Sequence, residues 1–277
     1  GNADQEIISS LKKLGLELIP TIKCKELYDS IAYHPDIVIH PINHHSLVIA
    51  PNVFDYYKEK LSKFNLKLIK GKKVLASKYP DNIAYNVGRL SKVAIHNFKY
   101  TDPVLKYYLE KENLNFIDIK QGYSKCSIAI IDKEKLITAD QAIYKKLSQL
   151  GYDCLLISPG YIELEGLNYG FIGGSTGNLS QDKVLFTGNL HRHPDKKKIM
   201  DFLNINDPID LLFEFPYRYD HNILVDFSQW KISDKVFFSG TLLTKPTVAY
   251  FNRRSSARFQ VEYDGNIINC TIFNRRW

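Results

Sequence analysis

The chain has 277 residues, of which 44% are apolar and 24% charged, and its formal net charge is +7; this suits a folded protein of one large domain or two ordinary ones. No apolar run approaches the roughly 20 residues that a membrane-spanning helix needs, and the N-terminus lacks a signal-peptide pattern, so we expect no membrane partner. Four widely spaced cysteines without a CxxC pair favour free thiols in a reducing cytoplasm over disulfides or a zinc site.

Residues 1–200 repeat one order of elements: two strands, a helix and a closing strand. Short β-branched runs between turn residues indicate the strands, and Asp-Pro or Pro-Asp pairs indicate several helix starts. In chain order the predicted elements are strands 36–42 and 46–50, helix 53–63 and strand 66–71; strand 93–96, helix 102–111 and strand 115–122; strands 127–132 and 136–138, helix 140–150 and strand 154–160; and strands 170–174 and 184–188 before a helix near residue 193.

The repeat also predicts how the units associate. A ββαβ unit cannot bury both faces of its small sheet alone, so the copies are expected to pack side by side around an axis. The predicted class is therefore α/β, with repeated ββαβ units in a propeller-like arrangement over residues 1–200. A doubly wound sheet is the alternative arrangement.

Several runs in this domain resemble an uncharacterised bacterial family whose fold is similar to the guanidino-group-modifying enzymes. The runs are KQGYSKCS at 120–127, LLISPGYIEL at 155–164, YGFIGG at 169–174 and HPD at 193–195. The resemblance covers most of residues 1–200 and implies the same fold. Active members of that superfamily use a cysteine nucleophile with a histidine and carboxylates that hold a guanidinium group, so a small guanidino compound is the substrate that it implies.

Four residues are candidates for such chemistry. Cys126 lies beside Lys125, and a neighbouring cation lowers the pKa of a thiol and favours the nucleophilic thiolate. Asp36, His96 and Asp140 fall at strand ends, where a central channel would gather polar groups. The alternative is that Cys126 is a small buried residue that opens a strand and that the other three cap turns.

Histidines and glycines in this domain do not form a recognised site. His34, His40, His44 and His45 lack an established metal-ligand spacing, so no metal is expected. The run GFIGGSTG at 170–177 lacks the lysine of a phosphate loop and does not lead into a helix, so tight turns are the favoured interpretation. No cofactor is predicted.

Basic residues are unevenly distributed. Residues 58–78 hold eight lysines and one glutamate, which indicates either a solvated face or a phosphate-binding patch. Residues 1–200 contain 26 lysines and two arginines, whereas residues 201–277 contain three lysines and six arginines. Because the arginine fork grips phosphate and stacks on bases, this change suggests that the two segments have different histories.

Residues 201–277 predict a helix followed by strands. Asp207-Pro208 starts the helix and Pro216 ends it. Strands are predicted over 236–244, 257–263 and 267–273, and Asp264-Gly265 joins the last two in a tight hairpin.

This second segment resembles the N-terminal region of RecG-type helicases. The matching features are Asp210-Leu211-Leu212, Phe215-Pro216, Arg218-Tyr219, a strand that ends at Gly240, the arginine-rich hairpin and Phe273-Asn274. In that family the segment opens an OB-fold that recognises branched DNA. A five-stranded OB barrel would be incomplete here, and no motor or GxxxxGK[ST] loop occurs, so we expect a truncated, fused helicase-like wedge.

The resemblance implies a DNA-binding surface on this segment. In such a surface arginines hold phosphates and aromatic rings stack on bases. The candidate residues are Tyr250, Phe251, Arg253, Arg254, Arg258 and Arg275. The alternative is that Phe251 packs inward and the arginines are only solvated.

Two functions of different classes follow. The first is a module that binds branched or single-stranded DNA, fused to a domain of unknown activity. The second is a cysteine-dependent hydrolase or amidinotransferase that acts on guanidino compounds. The sequence does not decide between them, nor does it give the oligomeric state.

Overall fold

The computed structural model describes residues 5–13, 15–179, 184–188 and 190–203, together with strand residues 231–232, 236–237, 257–263 and 266–272. The chain divides into two compact units, Gly1–Leu203 and Asn204–Trp277. Among the described residues, no helix is both long and apolar enough to cross a membrane.

The N-terminal unit starts with helix α1 (Gln5–Lys13) and continues with three copies of a ββαβ repeat. The first copy consists of the short helix α2 (Pro35–Val38), β1 (Ile39–Asn43), β2 (Ser46–Ile49), α3 (Phe54–Lys60) and β3 (Lys67–Lys70). The second consists of β4 (Gly88–Leu90), β5 (Val93–His96), α4 (Pro103–Lys111) and β6 (Asn115–Asp118). The third consists of α5 (Ser124–Ser127), β7 (Ile128–Ile130), β8 (Lys135–Thr138), α6 (Gln141–Gln149) and β9 (Asp153–Leu156).

Each copy forms its own three-stranded sheet with the same topology. The first two strands pair antiparallel, as β1 does with β2, and the second and third pair parallel, as β2 does with β3. A parallel pair needs a crossover connection, and the helix of each copy supplies it. The predicted order of two strands, a helix and a closing strand is therefore confirmed in these three copies.

Local sequence signals account for two of the helices. Asp102 caps α4 by accepting hydrogen bonds from the backbone N–H groups of Val104 and Leu105, and Pro103 occupies the first helical position. Asp140 caps α6 in the same way, through the N–H groups of Ala142 and Ile143. Such caps satisfy backbone donors that have no partner within the helix.

The fourth copy departs from the prediction. It contains β10 (Thr176–Asn178), β11 (Val184–Phe186) and α7 (Lys196–Phe202). The strand predicted over 170–174 is wrong, because Ile172–Ser175 is a 3-10 helix. Two consecutive glycines weaken a strand and allow a close backbone approach, and the first of them makes such an approach here.

Hydrophobic clusters join successive copies. One cluster packs Leu90, Ile95 and Ile117 of the second copy against Ile128 and Leu136 of the third. Another joins the third copy to the fourth, and the largest includes residues of the first and second copies. The copies therefore pack side by side in sequence order, whereas their closure around a propeller axis stays a prediction.

In the C-terminal unit the structure describes two hairpins. Strand β12 (Lys231–Ile232) pairs with β13 (Val236–Phe237), and β14 (Ala257–Tyr263) pairs antiparallel with β15 (Asn266–Ile272). The predicted hairpin is confirmed within one residue at its ends. The described strands form two-stranded sheets and no closed barrel, so the fold is mixed α/β and the partial OB-fold stays a prediction.

Candidate functional site

Four short segments, which we call the leading turns, each precede the first strand of a copy. They are α2 (Pro35–Val38), residues 84–87, α5 (Ser124–Ser127) and the 3-10 helix Ile172–Ser175. Side chains and backbone from all four meet in one hydrogen-bonded junction. The junction is the point where the repeated copies contribute to a common site.

Asn86, from the second leading turn, is central to the junction and fully buried. Its Nδ2 donates to the Asp36 carbonyl oxygen at 2.8 Å and contacts the Cys126 Sγ at 3.1 Å. Its Oδ1 accepts from the Cys126 N–H at 3.2 Å. One amide thus links the first three leading turns.

The fourth leading turn joins through Gly173. The Lys125 Nζ donates to the Gly173 carbonyl oxygen at 2.9 Å. A Cβ atom on Gly173 would lie 2.3 Å from the Lys125 oxygen, 2.4 Å from the Ile128 oxygen and 2.7 Å from the Cys126 oxygen. Only glycine fits such a contact between two backbone segments.

The Cys126 thiol is buried and donates a hydrogen bond to Asp36, with 3.0 Å between Sγ and Oδ2. Burial, followed by the charge of Asp36 and this hydrogen bond, raises the pKa of the thiol well above its usual value. The expected lowering of that pKa by Lys125 does not dominate, because the ammonium group is bonded to Gly173. Cys126 is therefore held as a neutral thiol.

A cleft of about 450 Å³ opens onto Cys126. Aromatic rings form one part of its lining: the Tyr123 and Phe171 centroids are 6.2 Å apart, and Tyr169 packs edge-on to Phe171 at 6.3 Å. The hydroxyls of Tyr28 and Tyr123 are 3.3 Å apart on the same lining. A concave, largely apolar cleft with a few polar groups has the character of a small-molecule site.

A second, smaller cavity of about 140 Å³ is lined by Ser127, Gln121 and Asp140. The Gln121 Nε2 donates to the Asp140 Oδ2 at 3.2 Å. The Ser127 Oγ is buried and has no hydrogen-bond partner among the described residues. Asp140 thus caps α6, as the alternative interpretation predicted, and also borders this cavity.

His96 has a buried structural setting. Its Nδ1 lies 2.6 Å from the Thr101 Oγ1 and its Nε2 lies 2.9 Å from the Gly122 carbonyl oxygen. Burial lowers its pKa to about 4. Both ring nitrogens are thus occupied by partners other than Cys126, so Asp36 is the one predicted catalytic partner that contacts the thiol.

The candidate DNA-binding residues fall in the C-terminal unit. Arg258 lies in β14, opposite Thr271 in the register with β15. The others lie outside the described residues: Tyr250, Phe251, Arg253, Arg254 and Arg275. Their DNA-binding role stays a prediction.

Sequence reasoning missed Asn86 and the aromatic lining. Asn86 lies just before β4, a strand of three residues that was also missed, so the start of the second copy was not recognised. The lining combines Tyr28 with Tyr123 and Phe171, which only the fold brings together. Among the described residues, no group of three or more histidine, cysteine or acidic side chains is placed to hold a metal ion.

The fold and junction belong to a class of α/β repeat domains, and a family model identifies the family. The chain belongs to a family of unknown function, DUF6873, whose model matches residues 1–212. A separate local similarity relates the chain to proteins named ATP-dependent DNA helicase RecG. It is 30% identical over 83 residues to that of Staphylococcus aureus (strain NCTC 8325 / PS 47) and 32% identical over 83 residues to that of Bacillus subtilis (strain 168).

Each helicase match covers 30% of this chain and 12% of the helicase. The chain therefore spans a small part of the length of these relatives. The similarity indicates a DNA-related region and leaves the activity of a whole helicase outside what is shown.

Proposed function

We propose that the C-terminal unit, residues 204–277, is a DNA-binding module that prefers branched or single-stranded DNA. The local similarity to proteins named as DNA helicases is the observation that supports this function. The proposal includes the opening strands of an OB-fold, for which the β14–β15 hairpin would supply two. The proposed module has no motor of its own in this chain.

The distribution of charge supports the same proposal. Residues 235–277 contain seven basic and two acidic residues, and five of the basic ones are arginines. Arginine suits phosphate contacts better than lysine because its planar fork donates two parallel hydrogen bonds. Tyr250 and Phe251 lie next to Arg253 and Arg254 in sequence, as expected for a surface that combines stacking with phosphate contacts.

Fluorescence anisotropy of the full chain with labelled forked, single-stranded and duplex DNA tests this proposal. We expect tighter binding to forked and single-stranded DNA than to duplex DNA. Affinity is expected to fall as salt concentration rises, because phosphate contacts release counterions. The double variant Arg253→Ala, Arg254→Ala is expected to weaken binding about tenfold and to reduce the salt dependence by roughly two phosphate contacts.

A matched control is available in the N-terminal unit. Lys145→Ala, Lys146→Ala removes the same two charges from an exposed face of α6. This variant is expected to bind DNA as the unchanged chain does. Absence of binding at low salt, or an equal loss in both double variants, would reject the proposal that residues 204–277 provide a specific contact.

The second candidate is a cysteine-dependent hydrolase or amidinotransferase of guanidino compounds. The contact between Cys126 and Asp36 at the base of a cleft is the observation that favours it. The raised pKa of Cys126 opposes it, since the thiolate is the attacking form. Citrulline- or urea-type products from a panel of guanidino substrates, lost in Cys126→Ala, would establish it; no turnover would end it.

A further inference from the structure

The cleft above Cys126 presents several aromatic rings to one enclosed space. Tyr28, Tyr123, Tyr169 and Phe171 all contribute to its lining. Tyr123 and Phe171 are partly buried and contact each other, so these two rings have fixed positions, whereas Tyr169 is 44% exposed at the opening. Rings that surround a space in this way offer negative π faces to a bound group.

The charges around the cleft are unusual for this chain. The protein carries a net charge of +7, but among the described residues that line the cleft there is no lysine or arginine. Glu163 is the acidic residue of that lining. Lys125, the nearest basic neighbour in sequence of Cys126, directs its Nζ to the Gly173 carbonyl oxygen. This distribution disfavours an anionic ligand and favours a cation.

The polar groups at the base of the cleft are already engaged. The Cys126 thiol donates to the Asp36 Oδ2, and the Asn86 Nδ2 contacts the same sulfur. A guanidinium group would bring five N–H donors that each need an acceptor, and burying unpaired donors is costly. An alkylated ammonium group has few or no donors, and aromatic faces compensate its charge.

We propose that this cleft is a binding site for a small alkylated ammonium cation of the trimethylammonium type. The aromatic rings contact the methyl groups and stabilise the charge, and Glu163 adds an acidic group at the opening. A cleft of about 450 Å³ lies within the range of small-ligand sites. The site is independent of the proposed DNA-binding function, because all of its residues belong to the N-terminal unit.

Isothermal titration of the full chain with choline and with its neutral isostere, 3,3-dimethylbutan-1-ol, tests the proposal. The two probes have nearly the same shape and differ in the charge of the quaternary centre. We expect choline to bind about tenfold more tightly than the isostere, since the difference reports the cation–π contribution. Methylguanidine is the third probe and is expected to bind more weakly than choline.

Variants at the opening of the cleft locate the site. Tyr169→Leu and Glu163→Gln change exposed residues, so the fold is expected to persist, which circular dichroism verifies. Each is expected to weaken choline binding by about 3- to 30-fold. Tyr107→Leu is the matched control, because Tyr107 is 49% exposed on α4 and does not line the cleft; it is expected to leave binding unchanged.

Three outcomes would overturn the proposal. Equal affinity for choline and its isostere would show an apolar cleft without selection for charge. Tighter binding of methylguanidine would assign the site to another class of cation. Absence of choline binding up to tens of millimolar, or an equal loss in Tyr107→Leu, would remove the site itself.

Discussion

Cys126 and Asp36 lie in different repeats, and the thiol of one donates to the carboxylate of the other across 3.0 Å. A reactive cysteine usually has a cation or a histidine beside it, because these stabilise the thiolate. An acidic neighbour has the opposite effect, since it repels the second negative charge. The pair therefore preserves a neutral thiol, which serves as a hydrogen-bond donor at the junction of the leading turns.

The first prediction concerns the reactivity of this thiol. Asp36→Asn removes the charge that is the second cause of the raised pKa of Cys126, so the pKa is expected to fall. Each unit of that fall increases the thiolate fraction about tenfold below the pKa, and alkylation by iodoacetamide accelerates accordingly. Peptide-level mass spectrometry measures the rate at Cys126.

Asp55→Asn is the control for this measurement. Asp55 is exposed at the start of α3, and the same change of residue there is expected to leave the rate at Cys126 unchanged. Equal rates in Asp36→Asn and the unchanged protein would contradict the assigned role of Asp36.

A second prediction uses two adjacent glycines. Gly173→Ala is expected to destabilise the N-terminal unit by about 2–4 kcal/mol, because its Cβ would meet three backbone oxygens at 2.3 to 2.7 Å. Gly174→Ala places its Cβ in open space and is expected to change stability by less than about 0.5 kcal/mol or to increase it slightly. Urea unfolding followed by circular dichroism measures both. Similar losses at the two positions would show that the close approach of Gly173 is unimportant.

Acid sensitivity is the third prediction. Burial lowers the pKa of His40 to about 3 and that of His96 to about 4, whereas both histidines titrate near 6.5 when unfolded. Between these values the unfolded chain binds more protons than the folded one. Stability is therefore expected to fall as pH drops from about 6.5 towards 4, by up to roughly 1.4 kcal/mol per pH unit for each histidine.

Urea unfolding of His40→Gln at several pH values tests this origin of acid sensitivity. Glutamine does not titrate, so the variant is expected to lose the contribution of one proton to the pH slope. His44→Gln, at an exposed position, is expected to retain the slope of the unchanged protein. The prediction fails if the two variants have the same slope.

The fourth prediction compares two helix caps. Besides the two N–H groups of α4, the buried Asp102 accepts from the backbone N–H groups of Lys72 and Lys73 and from the Tyr85 hydroxyl. Asp102→Ala leaves all of these donors without their acceptor and is expected to cost about 3–5 kcal/mol. Asp140→Ala removes a more exposed cap and is expected to cost about 1 kcal/mol. Equal costs in thermal or urea unfolding would refute the difference.

The sequence predicted what local patterns determine. Asp102-Pro103 located the start of α4, and β-branched runs located most strands, because caps and strand preferences act over a few residues. It missed β4, which has only three residues and begins with a glycine. The 3-10 helix Ile172–Ser175 was mistaken for a strand because its close backbone approach depends on another repeat.

The candidate site shows the same division. Cys126 and Asp36 were selected from their positions near strand ends, and they are in contact. The direction of the thiol pKa shift was wrong, since sequence places Lys125 beside Cys126 whereas its ammonium group reaches Gly173. Side-chain direction and burial arise from tertiary packing, which adjacency in sequence does not report.

The leading turns also affect how the chain folds during synthesis. Their links join residues far apart in sequence: 40 positions between Asn86 and Cys126, 48 between Lys125 and Gly173, and 90 between Asp36 and Cys126. Contacts of such separation form late, because a long loop must close first. The fourth turn cannot join until Gly173 has left the ribosome, and until then the nascent chain lacks the cover that keeps Cys126 from solvent reagents.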